Sequence, residues 1–181
     1  MRIVEPPARV RGHARASARM AGWLAAAALL VAAGGVGTTV HAADARREPL
    51  SAFPKGLLSI RTPTGRVLNF RIWVADTPAR AEQGLMFVRR VGDHDGMLFP
   101  FSGRQPIAMW MKNTYVSLDM LFVDRRGRIS AIAKRTKPLS LDLIDAPGGT
   151  RAVVELRGGI CERLGIGVGD AVLSDALSSG S

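Results

Sequence analysis

The fold of this chain is decided by residues 109–124, which read MWMKNTYVSLDMLFVD. The stretch begins with a bulky apolar triplet, continues with a cation, an amide and a hydroxyl at Lys112, Asn113 and Thr114, and ends in an apolar run. Residues 118–124 are strongly apolar, as the residues of a central strand should be. The stretch therefore predicts a central strand that is preceded by a polar turn.

Short strand and helix patterns surround this stretch. Residues 57–61 and 66–74 bracket a Thr-Pro-Thr-Gly sequence, which is a hairpin signal. Thr77 and Pro78 read as a helix N-cap followed by proline at the first helical position, and the helix is predicted to reach about residue 88. Many short strands with one or two short helices predict an α+β domain whose small, mostly antiparallel sheet is strongly curved or barrel-like. Further strands are predicted at 96–101, 107–112, 129–134, 152–156 and 171–174, and a second short helix at 159–164.

The first 42 residues have the composition of a secretory signal peptide. Residues 1–19 carry five arginines and one acid, an apolar segment runs from residue 20 to about residue 33, and Val40 and Ala42 occupy the two positions that a signal peptidase reads. This pattern predicts cleavage after Ala42 and export to the periplasm or the extracellular space. An uncleaved anchor is the alternative, although the apolar run is short for a span of roughly 20 residues. We expect the chain to meet the membrane only transiently, through this leader.

The remaining residues, about 139 of the 181, suit one domain with one core. Residues 43–56 are polar and contain proline, and they predict a flexible tether. Residues 57–174 are expected to form a single globular domain, and residues 175–181 a frayed tail.

Charge limits the classes of partner. The leader holds five of the 25 Lys and Arg residues and one of the 15 Asp and Glu residues, so the formal net charge falls from +10 for the whole chain to +6 for the remainder. The basic residues are scattered rather than gathered on one helix, and we expect no nucleic-acid partner. An acidic polysaccharide, anionic lipid head groups or an acidic protein would suit a basic exported surface, and a solvated surface without a partner is the alternative.

Nucleophilic and metal-dependent catalysis find little support in the sequence. Cys161 is the single cysteine, so the chain forms no intramolecular disulfide, and its apolar neighbours predict a small buried side chain. His94 is the one histidine after residue 42, in a Gly-Asp-His-Asp-Gly turn. Three adjacent residues cannot easily converge on one ion, so we expect no metal site at 93–95. We expect no catalytic residue.

Landmarks along residues 57–174 resemble the family catalogued as domain of unknown function 192. The most specific landmark is the Met-Trp-Met-Lys-Asn-Thr run at 109–114, and one departure is Val88, where the family often has a basic residue. The resemblance implies a compact, mostly β domain, often exported, with no established activity and no cofactor. The other landmarks are Gly84-Leu85-Met86, Gly96-Met97-Leu98-Phe99, Leu118-Asp119, Phe122-Val123-Asp124, Gly127 with Ile129, Val154-Glu155-Leu156, Gly159, Gly165-Ile166 and Gly169-Asp170.

A candidate ligand site surrounds the polar part of the opening stretch. In a strand that leads into a loop, Trp110 and Lys112 project to the same face. An aromatic ring beside a cation, with a carboxylate across a turn, suits a polar ring or a small anion. Alternatively the same residues form only core, turn caps and a buried polar network, in which Lys112 pairs with Asp119 or Glu155. The candidate ligand-binding residues are Trp110, Lys112, Asn113, Thr114, Asp119 and Glu155.

Glu155 is the unusual charge in an apolar strand, between Val154 and Leu156. Ordinary alternation favours an outward orientation. An inward side chain would need a partner such as Lys112 or an arginine.

Two classes of function remain, with a third that needs no ligand. The first is an exported, non-catalytic domain that binds a small polar or anionic ligand, a glycan or an envelope partner. The second is a glycan hydrolase that uses Asp119 with Glu155 or Asp124, which requires carboxyl groups roughly 5–10 Å apart across an open cleft. The third is a purely structural envelope module. Since the sequence lacks a strong nucleophile or metal set, it favours binding, and it leaves the oligomeric state open.

Overall fold

The computed structural model describes residues 47–103 and 105–178, which form nine strands, three short α-helices and one turn of 3-10 helix at Leu50–Ala52. The strands are β1 (Lys55–Arg61), β2 (Val67–Val74), β3 (Asp95–Pro100), β4 (Ala108–Met109), β5 (Leu118–Asp124), β6 (Ile129–Ala133), β7 (Ile144–Asp145), β8 (Thr150–Arg157) and β9 (Ala171–Leu173). The helices are α1 (Pro78–Gln83), α2 (Ile160–Leu164) and α3 (Asp175–Ser178).

Seven strands form one sheet in the order β6-β5-β8-β3-β2-β1-β9. Neighbours pair antiparallel except for β2 and β3, which are parallel. A bridge between Arg128 and Ala171 joins the β6 edge to the β9 edge. The sheet is therefore curved and nearly closed, which confirms the predicted α+β class with a mostly antiparallel, barrel-like sheet. Strands β4 and β7 form a separate pair.

Local turn chemistry explains the first elements. The hairpin between β1 and β2 closes through Thr62, whose amide donates to Arg66 O at 2.9 Å and whose carbonyl accepts from Gly65 N at 3.0 Å. Helix α1 starts as predicted, because the Thr77 hydroxyl caps it by accepting from the amide three residues later. The helix ends at Gln83 rather than near residue 88, because Gly84 leaves the helical conformation with φ of 49°.

The large sheet carries a hydrophobic cluster on each face. The first cluster lies on the face of Leu98, Leu121 and Val154 and also receives residues of α2 and α3. The second lies on the face of Met97 and Met120 and is covered by irregular segments rather than by solvent. Strand β5 is apolar apart from Asp119 and Asp124 because both of its faces are covered. Among the residues that cover the second face are Phe53, Leu85, Val91, Ile107, Met109 and Met111.

Two predicted boundaries need correction. Strand β1 begins at Lys55 and Phe53 packs into the second cluster, so residues 47–56 of the predicted tether belong to the folded unit. Residues 175–178 form α3, and Leu177 packs into the first cluster, so this part of the predicted tail is not frayed. The predicted leader, residues 43–46 and residues 179–181 lie outside the described residues. Within the described part, no helix has the length and apolarity needed to cross a membrane.

Candidate functional site

Backbone strain is concentrated around one segment, residues 111–119. Among the described residues, the non-glycine residues with left-handed φ are Phe87 (64°), Asn113 (56°), Arg135 (47°) and Leu139 (63°). Phe, Arg and Leu rarely adopt that conformation, and each such instance costs about 1–3 kcal/mol, whereas Asn adopts it readily. Asn113 belongs to the segment, the amides of Phe87 and Leu139 donate to its backbone, and the amide of Arg135 donates to the Asp119 carboxyl group.

The segment is held from two sides. Phe87 N donates to Asn113 O at 2.8 Å, and Leu139 N donates to Thr114 O at 3.1 Å. Such conformations persist only where the surrounding structure over-determines them, and they cluster at binding sites and ligand clamps. The segment is therefore a candidate functional site.

Aromatic rings and basic groups lie side by side on the exposed side of this segment. The rings of Phe87 and Tyr115 meet edge to face with centroids 6.0 Å apart, and the two residues are 38% and 41% exposed. The Arg47 guanidinium lies 4.8 Å from the Phe87 ring centroid, and that of Arg89 lies 5.2 Å from the Tyr115 centroid. We call these four residues, together with Lys112 of the same segment as Tyr115, the aromatic–basic face.

Trp110 and Lys112 lie together, although not through the strand alternation that the sequence predicts. The Lys112 Nζ atom lies 5.2 Å from the Trp110 ring centroid, which is a cation–π distance. The Trp110 ring is half-buried against the second cluster. Its Nε1 atom is buried and has no hydrogen-bond partner in residues 47–103 and 105–178. Strand β4 covers only Ala108–Met109 of the predicted 107–112, so both residues belong to the turn.

Asn113 and Thr114 shape this turn. Thr114 is buried, its amide donates to Met111 O at 3.0 Å and its hydroxyl donates to Lys112 O at 3.3 Å. The Asn113 amide nitrogen lies 3.9 Å from the Met86 sulfur. These contacts match the turn-capping alternative for the two residues.

Asp119 is a buried carboxylate that ties loops to strand β5. Its Oδ1 atom accepts from the amides of Arg135 at 2.8 Å and Gly159 at 2.9 Å, and its Oδ2 atom accepts from the amide of Cys161 at 2.9 Å. Charge-assisted bonds of this kind are among the stronger ones in proteins. No described salt bridge joins Lys112 to Asp119. The structure therefore places Asp119 apart from the aromatic–basic face.

Glu155 points inward, which corrects the favoured outward orientation. It is fully buried, and its cross-strand neighbours are Met97 on β3 and Met120 on β5. Neither carboxyl oxygen has a hydrogen-bond partner among the described residues, so the expected pairing with Lys112 is not formed. Burial raises the pKa of Glu155 to about 8, which leaves the acid mostly protonated at neutral pH. The alternation rule failed because the second cluster covers the face that it assigned to solvent.

Asp119 and Glu155 do not share a cleft. In the pairing of β5 with β8, Met120 lies opposite Glu155 while Asp119 lies opposite Leu156. Neighbouring residues of a strand point to opposite faces, so the two carboxyl groups lie on opposite sides of the sheet.

Asp124 closes the turn between β5 and β6. Its Oδ1 atom accepts from the amides of Arg126 and Arg128 at 2.8 Å each. It stands at the other end of β5 from Asp119, about 16 Å away at the usual rise per residue. That separation exceeds the range of a glycosidase pair.

The Cys161 thiol is not an activated nucleophile in this geometry. Burial, followed by the Asp119 carboxylate, raises the pKa of the Cys161 thiol far above its ordinary value, so the thiol is a small buried side chain, as predicted. The His94 ring lies 6.1 Å from the Phe70 ring. The described residues contain no group of three or more His, Cys, Asp or Glu side chains that could hold a metal ion.

An arginine-lined depression of about 330 Å³ lies beside α2. Arg135 pairs there with Glu162 at 2.8 Å, and Asp93 pairs with both Arg157 and Arg163. Because carboxylates already pair with these arginines, the depression is a weak candidate for an anion site.

Sequence reasoning missed most of the aromatic–basic face. Arg47, Phe87 and Arg89 come from segments far from residue 112, and no local pattern links them to it. Tyr115 directly follows the predicted site residues at 112–114. The rule that pairs an aromatic ring with a nearby cation could therefore have added Tyr115 to the candidate site.

Comparisons with known proteins agree with the fold. The profile of the family DUF192, described as "Uncharacterized ACR", matches residues 59–174. The chain is similar to a crystal structure described as a "putative transcription regulator" from Sinorhizobium meliloti 1021, with 38% identity and a TM-score of 0.67 over 69% of this chain and 97% of that chain. It is also similar to a protein of unknown function from Novosphingobium aromaticivorans DSM 12444, with 35% identity and a TM-score of 0.66 over 70% of this chain and 89% of that chain. No curated protein matches the chain.

Proposed function

Since the chain belongs to the family DUF192, whose description assigns no reaction, we propose from its own geometry that it is an exported envelope domain that binds a ligand without catalysis. The ligand is a small polar or anionic molecule, a glycan or an envelope partner. The binding site is the aromatic–basic face.

One observation carries this proposal, namely that two strained residues, Phe87 and Leu139, hold the turn at 111–115 from both sides. Together they cost roughly 2–6 kcal/mol, a large amount beside the 5–15 kcal/mol that stabilises an ordinary domain. A binding surface gains a fixed arrangement of rings and cations, because preorganised groups lose little entropy when a ligand arrives.

The chemistry of the face suits polar or anionic ligands. Arg47 and Arg89 carry planar guanidinium groups that donate paired hydrogen bonds to carboxylate or phosphate. The exposed rings of Phe87 and Tyr115 offer flat apolar surfaces beside these cations. Together they can hold a ring and an acidic group at the same time.

The positions of the carboxyl groups support binding over hydrolysis. Asp119 is occupied by three backbone amides, and Glu155 is buried on the other side of the sheet. A glycosidase needs two carboxyl groups that reach the same bond.

No observation favours DNA binding, although the S. meliloti protein is described as a transcription regulator. Helices α1 to α3 contain only four to six residues. A recognition helix must lie along the major groove and present several side chains to base edges.

A thermal-shift screen of residues 43–181 tests the proposal. The ligands are acidic oligosaccharides, cell-wall fragments, nucleotides, inorganic phosphate and duplex DNA. A ligand at a hundred times its dissociation constant should stabilise the domain by about 2.7 kcal/mol. The shift should shrink in Lys112→Met and Arg89→Met and persist in Arg61→Met, a control at the exposed last residue of β1. A shift that survives in Lys112→Met and Arg89→Met would contradict the assignment of the face, and cleavage of an oligosaccharide would contradict binding without catalysis.

A further inference from the structure

A row of three side chains crosses the large sheet beneath the second cluster. Met97 of β3 and Met120 of β5 lie directly opposite Glu155 of β8, one on each side. Residues that lie opposite each other on antiparallel strands project from the same face, with Cβ atoms about 5 Å apart. All three residues are fully buried. The carboxyl group of Glu155 is therefore flanked by two thioether side chains.

Glu155 lacks the partner that a buried carboxyl group requires. Neither of its oxygens accepts a hydrogen bond from the described residues, and none of the described ion pairs includes it. Arg157, two residues further along the same strand, pairs with Asp93 instead. An unsatisfied polar group at this depth calls for an explanation, such as a functional role or a bound water or ion.

The methionine sulfurs of this row are also available to a ligand. All five methionines after residue 42 pack within or against the second cluster. Two of them have a polar contact, since the Met111 sulfur accepts from the Thr136 hydroxyl at 3.2 Å and the Met86 sulfur lies 3.9 Å from a side-chain amide nitrogen. No hydrogen-bond donor of the described residues contacts the sulfur of Met97 or Met120.

A soft monovalent cation suits this set of groups better than a water molecule or a hard cation. A buried water needs two to four polar partners, and a thioether sulfur is only a weak acceptor. Hard cations such as Mg²⁺ and Ca²⁺ prefer several oxygen ligands, whereas thioethers select Cu(I). One positive charge also balances one carboxylate, so the apolar interior gains no net charge.

We propose that Met97, Glu155 and Met120 bind one Cu(I) ion beneath the second cluster. The ion lies at the carboxyl group of Glu155, and the two thioethers reach it from the neighbouring strands, because the unbranched methionine side chain turns easily about its bonds. The ion replaces the carboxyl proton, which passes to solvent, and copper keeps its oxidation state.

This inference goes beyond the proposed binding of a ligand at the aromatic–basic face, and it departs from the expectation that the chain holds no cofactor or metal. Irregular segments, rather than regular strands or helices, supply most of the cover over the row. Such segments open locally at a lower free-energy cost than the sheet does, which gives the ion a way in.

Equilibrium dialysis of residues 43–181 against Cu(I), in anaerobic buffer with ascorbate, tests the proposal. The similar S. meliloti chain is matched over 97% of its length by 69% of this chain, so a domain of this length folds without the leader. We expect the protein to retain one Cu(I) ion per chain and to retain no Mg²⁺. The X-ray absorption spectrum of the copper-loaded wild type should show sulfur neighbours around the metal.

Variants test the three ligands one at a time. Met97→Leu, Met120→Leu and Glu155→Gln should each lower the affinity for Cu(I) by about tenfold or more. Leucine has nearly the volume of methionine, so the core should stay packed. Met86→Leu is the matched control, because this methionine packs against the same cluster outside the row, and it should bind Cu(I) as the wild type does.

Wild-type protein that retains no Cu(I) would overturn the proposal, and so would an absorption spectrum that shows only oxygen or nitrogen neighbours. Unchanged affinity in Met97→Leu and Met120→Leu, or an equal loss in Met86→Leu, would also reject the row as the site. The spectrum is recorded on the wild type, so it decides the question even where a variant fails to fold. Because the aromatic–basic face contains none of these residues, each of these failures would leave the proposed function standing.

Discussion

At the scale of single residues, two buried carboxyl groups offset the free-energy cost of leaving water in different ways. Asp119 accepts three backbone hydrogen bonds, which satisfy its buried oxygens. Glu155 has no hydrogen-bond partner in the described part of the chain, and its burial favours the neutral form. The first group therefore stabilises the fold through its hydrogen bonds, and the second is tolerated because it can remain protonated.

Replacing Asp119 should destabilise the domain strongly. Asp119→Asn loses the charge that three backbone donors share, and one of its side-chain atoms becomes a donor that faces other donors. At about 1.5–3 kcal/mol for each hydrogen bond to a charged group, we expect a loss of at least about 3 kcal/mol in the free energy of unfolding. Urea denaturation measures it.

A double-mutant cycle of Lys112→Met and Asp119→Asn tests whether Lys112 and Asp119 form a structural ion pair. The two residues share no described salt bridge, so their interaction energy should lie within about 0.5 kcal/mol of zero. Lys112→Met alone should change stability by less than about 1 kcal/mol. A coupling of 1 kcal/mol or more would mean that the two side chains act as an ion pair.

Glu155 should make stability fall as pH rises. Its pKa is about 8 in the folded protein against the ordinary value of 4.5, so between these values the unfolded chain releases a proton that the folded chain keeps. Stability should decline by about 1.4 kcal/mol per pH unit in that window and level off above pH 8, a loss of roughly 3 kcal/mol at pH 7.

Glu155→Gln is the matched control for this pH dependence, because it keeps the shape and removes the titration. Its unfolding free energy, minus that of the wild type, should rise between pH 4.5 and 8. If the unfolding free energies of the wild type and Glu155→Gln change in parallel with pH, then Glu155 does not carry a raised pKa.

At the scale of the elements, β3 depends on a close approach to β8. A Cβ atom at Gly96 would lie 2.6 Å from Glu155 O and 2.7 Å from Leu156 Cδ2, and the first of these is backbone that cannot move freely. The strand pairing thus needs glycine at this position for space rather than for its φ.

Gly96→Ala should therefore destabilise the domain by about 2 kcal/mol or more, since overpacking forces the two strands apart. Chemical denaturation would give this value. Gly148→Ala is the control, because an added Cβ there has no neighbour within 4 Å, and its effect should stay within about 0.5 kcal/mol. Equal losses of stability in Gly96→Ala and Gly148→Ala would show that β3 and β8 can move apart without lowering the free energy of unfolding.

At the scale of the whole molecule, one nearly closed sheet serves two purposes. Its first face is filled by residues from the strands and from α2 and α3, which closes the core. Its second face is covered by irregular segments that carry the strained residues and the exposed rings. A rigid scaffold thus holds a shaped surface, an arrangement that proteins commonly use for binding.

The leader should be removed during export. Mass spectrometry of the protein from the source cell should find a new terminus near Ala43, which leaves four residues before Arg47. Ala42→Arg, which places a large charged residue where the peptidase reads a small one, should retain the leader. Full-length wild-type protein that remains in the cytoplasm would contradict the prediction.

The sequence by itself determined the elements whose signals are local. Strand β5 agrees with its prediction residue for residue, and the β1–β2 hairpin and the Thr77 cap are also where the patterns predict them. Apolar runs, turn residues and caps act between neighbours in the chain, so they can be recognised without a structure. The run at 109–114 determined the family for the same reason.

Only the tertiary structure decided the orientation of Glu155, the partners of Asp119 and the composition of the aromatic–basic face. The donors to Asp119 lie 16, 40 and 42 residues away along the chain. The ring of Phe87 meets that of Tyr115 where the Phe87 amide bonds to Asn113 O, a contact between two segments that are distant in the sequence. Contacts of this kind depend on which faces of the sheet are covered and by which segments, and a local pattern of residues contains no information about that.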